Sequence, residues 1–166
     1  MIVLTIKDDD VKVFMSKLIK EDIFDGFEVR GIDIETFTNF HIDGVYNKKF
    51  FCNGSETETQ EESTEVSKVS FCSWKDLKGY VFSLIKGANK PLGMKFIFSV
   101  KDEELENYHQ NAKSLFLNII FEKDLVRCIS GSSQKNFSLD KSLDLVWDDY
   151  ISEFLENNGI GFSIEE

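Results

Sequence analysis

The chain has 166 residues, 42% of them hydrophobic, with 16 Phe, a single Pro and a formal charge of −11. That length suits a single domain spanning 1–166, or two small halves sharing one core, and the apolar content is ample for it. The acidic balance disfavours whole-surface attraction to nucleic acid or anionic lipid, but it leaves room for a local basic face on an acidic body.

Cys52, Cys72 and Cys128 are odd in number and form no C-x-x-C pair, so neither a disulfide framework nor a zinc site is expected. The opening MIVLTIKDDD turns acidic too soon for a signal peptide, and no apolar run approaches membrane length. The expectation is a cytoplasmic protein with reduced thiols and no membrane contact.

Residues 2–6 are a short β-rich run. Residues 7–10 supply a turn and a helix N-cap, with acids at the positive end of the helix dipole. Val11, Phe14, Met15, Leu18 and Ile19 then fall at the i, i+3, i+4, i+7, i+8 positions of an amphipathic helix. FEVRGIDI (27–34) alternates as a strand, 37–42 reads as a second, Asp43-Gly44 as a tight turn and 45–51 as a third strand. NGSETETQEESTEVSK (53–68) breaks the pattern as a polar, acidic insertion, expected to be mobile and solvated.

The pattern then restarts. Residues 69–72 are a short strand, and Ser73 opens S-W-K-D, a capping-box-like helix start. The helix carries Trp74, Leu77, Tyr80, Val81, Leu84 and Ile85 and stops at Gly87. A strand at 93–100 follows, then a helical turn within 101–113. A hairpin joins 115–121 to 125–130 across Glu122-Lys123-Asp124, and 136–139 reads as one more strand. A C-terminal helix, 140–158, begins at Asp140, carries Leu143, Val146, Trp147, Tyr150, Ile151, Phe154 and Leu155, and ends at Asn158-Gly159.

KVFMSKLIK (12–20) and KGYVFSLIK (78–86) are nearly the same helix, 66 positions apart, and each stands between strands. Two amphipathic helices can share such a fragment by composition alone. The matching flanks, Val3 with Val69 and Asp10 with Asp76, favour a duplication with halves 1–51 and 69–139. On a helical wheel Lys12, Lys17 and Lys20 lie opposite the first apolar stripe, and Lys75, Lys78 and Lys86 opposite the second. Lysine is a good helix former, so a merely solvated face explains this as well.

Duplicated β-α-β-β-β units with lysine-bearing helices resemble sliding DNA clamps of the proliferating-cell nuclear antigen type. The stretch FEVRGIDIETFTNFHI (27–42) is similar to the second and third strands of such a unit, and the resemblance covers residues 1–139. It implies six lysines, Lys12, Lys17, Lys20, Lys75, Lys78 and Lys86, facing nucleic acid. A clamp ring needs several such domains, so it also implies a homo-oligomer. The acidic insertion and the terminal helix have no counterpart in the simple clamp unit. Over its whole length the chain resembles a family of uncharacterised bacterial proteins of this size. The start, TFTNFHIDG (36–44) and FSLDKSLDLVWDDYISEFL (137–155) carry that resemblance, which implies no activity.

The carboxylate runs Asp8-Asp9-Asp10 and Asp102-Glu103-Glu104 could bind a hard cation, but both stand where helix N-termini want negative charge. Glu106 and His109 have E-x-x-H spacing without the second copy that di-iron chemistry needs, and His41 sits in a strand pattern. Ser130-Gly131-Ser132-Ser133 lacks the phosphate-loop frame and reads as a hairpin exit. Trp74 and Trp147 read as core anchors, and no nucleophile, base and orienting acid stand together.

The expected fold is α+β: two similar β-α-β-β-β-like halves forming a curved, mainly antiparallel, clamp-like sheet with helices on one face, plus the C-terminal helix. The expected function is a non-catalytic binding or scaffold protein. Its contact would be with a protein partner or with the DNA backbone through phosphates. The alternative is an enzyme or small-ligand regulator whose site is not recognisable from sequence. No catalytic residue, metal or cofactor is implied.

Overall fold

The computed structural model describes residues 1–51, 68–87 and 89–165. Period-two alternation in the longest strands builds the middle of a seven-stranded antiparallel sheet. The strands are β1 (Val3–Ile6), β2 (Glu28–Glu35), β3 (Asn39–Ile42), β4 (Gly93–Ser99), β5 (Ala112–Glu122), β6 (Leu125–Gln134) and β7 (Ser163–Ile164). They lie in the order β3-β2-β4-β5-β6-β1-β7, and the sheet does not close on itself.

Among the described residues three α-helices cover one face: α1 (Asp9–Lys20), α2 (Trp74–Ile85) and α3 (Ser142–Asn157). Val29, Ile32, Ile34, Met94, Phe96, Phe98, Leu117, Ile119, Phe121, Val126, Cys128, Leu4 and Ile6 point at them and are buried. Each such side chain contributes about 1.5–3 kcal/mol by leaving water. Phe24, between α1 and β2, joins the layers, meeting Phe14 of α1, Phe98 of β4 and Phe154 of α3 at centroid distances of 5.6, 6.1 and 5.2 Å. Trp74 lies on Phe96 and Phe98, and its indole N–H donates to the Leu18 carbonyl at 2.8 Å. That bond ties the start of α2 to the end of α1. At the other end, Val11 and Met15 line a groove with Ile85, so the two helices run antiparallel.

Local signals account for the helix ends. Ser73 caps α2: its Oγ accepts from the Asp76 N–H and donates to the Asp76 carboxylate at 3.0 Å. Asp8 takes φ 55° and makes no side-chain cap, so α1 begins with acids in its first turn but without the expected capping bond. Asp140 lies just outside α3 and accepts from the Ser142 N–H at 2.9 Å.

Three strand expectations are corrected. Among the described residues, 45–51 form a single bridge, Val45 to Phe71, followed by a 3-10 turn at Lys48–Phe51. The run YNKKFF has no period-two alternation, and the Asn47 carbonyl accepts from the Phe50 N–H to start the turn. Residues 69–72 give only that bridge with described residues; the neighbouring Glu28–Ser73 bridge lies just past their end. Residues 136–139 are an irregular loop because Asn111, Gln134 and Ser138 take their backbone groups. The insertion expected at 53–68 lies, apart from Lys68, outside the described residues. Among the described residues no helix is long and apolar enough to cross a membrane.

Candidate functional site

Among the described residues no α-helix covers the other face of the sheet. Cross-strand register sets its rows: Asp33–Lys95–Ile120–Arg127–Thr5, then Gly31–Ile97–Asn118–Ile129–Val3. A bulge after Val29 turns Arg30 over this face. Its guanidinium stacks 3.8 Å above the Phe71 ring, and its Nε donates to Ser99 Oγ at 2.8 Å. That roof half-buries Glu28, and burial raises its carboxyl above the usual range, opposed by the Arg30 charge beside it.

At the β3 end the face opens into a cleft of about 460 Å³. Asp33 on β2 and His41 on β3 face each other, Nδ1 to Oδ1 at 2.6 Å, and both are solvent-exposed. In the next row Glu35, Gly93 and Glu122 are in register, so the glycine leaves a gap flanked by two carboxylates, with Lys95 beside it. β3 is the sheet's edge. The Thr36 N–H donates to the Thr38 carbonyl, which sets the alternation down the hairpin. Ile34–Phe40 and Ile32–Ile42 are therefore the hydrogen-bonded pairs, and Asn39 and His41 turn their N–H and C=O outward.

The six lysines separate into two sets. Lys78 is a structural tether, 2.7 Å from the half-buried Asp25 carboxylate and 2.9 Å from the Glu21 carbonyl. Lys17 pairs with Glu21 at 3.3 Å. Lys12, Lys20, Lys75 and Lys86 are exposed and make no ion pair with described residues. The antiparallel packing places Lys12 and Lys86 toward one end of the helix pair and Lys20 and Lys75 toward the other.

The remaining sequence candidates disperse. Glu106 pairs with Lys135 at 3.0 Å, away from His109. His109 Nδ1 accepts from the Asn111 N–H, so the neutral ring carries its proton on Nε2 and donates to Ser142 Oγ. Ser142 in turn donates to Asp140 at 2.8 Å. The proton order is the reverse of an activated serine, where the histidine must accept. Ser130–Ser133 is not a hairpin exit but lies within β6, where Ser130 and Ser132 donate to Asp148 and Asp144 of α3. Among the described residues no group of three or more His, Cys, Asp or Glu could hold a metal ion.

The family model of DUF5721, a family of unknown function, matches residues 17–163. The chain belongs to DUF5721. No curated protein and no solved structure matches it, so nothing in these comparisons ties the DUF5721 chain to sliding clamps. Its cleft was not apparent from sequence. The Asp33–His41 contact could have been read from their equal distances to Phe37 at the hairpin tip, but Glu35, Gly93 and Glu122 meet only through long-range pairing.

The DUF5721 chain also places Cys128 wholly inside the helix-covered layer, where burial pushes its thiol far above its ordinary range. Iodoacetamide at mildly alkaline pH should leave Cys128 unmodified in the native protein and modify it fully in guanidinium, read by peptide mapping. Fast native labelling would mean that β6 opens readily.

Proposed function

We propose that this DUF5721 protein is a non-catalytic binding or scaffold protein that docks a protein partner along the β3 side of its sheet. The exposed aromatics carry this reading. Phe37 is 93% exposed at one end of β3, and Phe50 and Phe51 are 80% and 67% exposed beyond the other. Phe51 stacks on Tyr46 and meets Phe50 edge-on, so the rings form one surface rather than isolated side chains. Aromatic patches of this kind are the usual anchors of protein interfaces.

A clamp-like, duplicated architecture is part of the proposal. β2 and β4 are antiparallel neighbours, and Gly31 pairs with Ile97, the same 66-position offset that relates the two helices. A local two-fold axis there would exchange α1 with α2. The four lysines of that helix pair that have no ion pair with described residues support a second reading, contact with duplex phosphates. Lys12 and Lys20 stand about 12 Å apart along α1 at 1.5 Å per residue. The net charge opposes approach, so the binding expected is weak and confined to low salt.

One experiment separates the two. Chemical crosslinking in native cells should trap a protein partner with the wild type, and the purified partner should then bind directly. F50S/F51S should weaken that binding about tenfold or more, while K20E/K86E should not change it. If no protein is trapped and K20E/K86E alone abolishes low-salt duplex binding, the nucleic-acid reading replaces the first. Each lysine on a phosphate then contributes about 0.9 to the slope of log K against log salt. Reversal of Lys141, at the start of α3, is the control without effect.

A further inference from the structure

We infer that the β3 edge takes an extended segment of the partner as an eighth strand, and that this segment alternates basic and apolar side chains. The inference rests on the protein-partner reading and names its ligand. Asn39 and His41 point backbone donors and acceptors outward along β3, with no partner among the described residues. Natural sheets blunt such edges with lysine, proline or a bulge, and β3, NFHI, carries none. A free edge of this kind recognises an extended chain by main-chain hydrogen bonds, with alternate side chains setting specificity.

The two faces beside the edge define those side chains. On the open face, three carboxylates, Asp33, Glu35 and Glu122, line the cleft against one lysine, Lys95. Glu35 and Glu122 are exposed and have no ion pair with described residues, so they complement a cation. An added strand would lie about 10 Å from β2, two strand spacings away. Asn39, the β3 residue beside Glu35, is short, so a lysine or arginine can reach across β3 toward Glu35. On the opposite face, Phe40 and the exposed Phe37 meet edge-to-face at 6.0 Å and offer an apolar seat. The segment that fits therefore turns basic residues to the cleft and apolar residues to the Phe37–Phe40 pair.

The test is titration of the full chain with a fluorescent, end-blocked peptide of alternating lysine and valine, against one of alternating glutamate and valine. The lysine peptide should bind in low salt and the glutamate peptide should not. E35K/E122K, two exposed changes, should weaken the lysine peptide about tenfold or more. H41P removes an outward N–H that the ladder does not use and should abolish binding, while H41Q should retain it. Equal binding of the two peptides, or undiminished binding to both E35K/E122K and H41P, overturns the inference. So does a wild-type dimer that H41P converts to monomer without peptide uptake, because the edge then pairs with a second copy. If the peptide fails while F50S/F51S still loses the crosslinked partner, only strand addition falls. If both fail, the partner reading falls with it.

Discussion

Trp147→Ala should cost about 3–5 kcal/mol, the range for removing a fully buried indole, and lower the melting temperature by about 6–20 °C. Trp147 is 1% exposed between α3 and the sheet. It stacks on Tyr150 at 5.3 Å, meets Tyr108 edge-on at 5.4 Å, and donates its N–H to the Phe116 carbonyl at 2.8 Å. Alanine leaves a cavity in a layer that three helices hold in place, so collapse is incomplete. Trp147→Phe keeps most of the packing and loses the hydrogen bond, which should cost about 1–3 kcal/mol. A loss below about 1 kcal/mol for the alanine variant would mean that α3 is not a structural layer.

Gly44→Ala should be comparably damaging, though it adds a single methyl group. Gly44 takes φ +73°, where an L residue costs about 1–2 kcal/mol. Its Cβ would fall 2.0 Å from the Val29 carbonyl oxygen, a backbone atom that cannot yield. The 44–46 segment must therefore lift off β2. That breaks the bond from the Cys72 N–H to the Gly44 carbonyl at 2.8 Å and frees Phe71 from beneath Arg30. Faster hydrogen exchange at Cys72 and Tyr46, with β5 and β6 unchanged, would report this local failure. Unaltered exchange and melting would contradict the close approach. Gly79, with nothing within 4 Å of its would-be Cβ, is the control, since alanine there should be neutral or slightly stabilising.

The helices were legible because their information is local. Val11, Phe14 and Leu18, and likewise Leu143, Trp147, Ile151 and Leu155, declare one buried stripe at helical spacing. The capping residues around Ser73 and the β5–β6 hairpin were legible for the same reason. The short runs at 45–51, 69–72 and 136–139 were not. There β-propensity competes with turns and side-chain hydrogen bonds from distant residues, and context decides.

By itself the sequence determined the α+β class, the three amphipathic helices, both tryptophan anchors and membership of a family without assigned activity. Tertiary structure alone decided which charges are free and which groups meet. Lys78 and Lys86 look alike on a helical wheel, yet Lys78 is tied to Asp25 across 53 positions of chain while Lys86 makes no ion pair with a described residue. Glu35, Gly93 and Glu122 share a row only because β4 lies between β2 and β5. A helix writes its face into residues three and four apart. A sheet draws each row from strands far apart in the chain, so strand order and register, absent from any local window, place the cleft and the open edge.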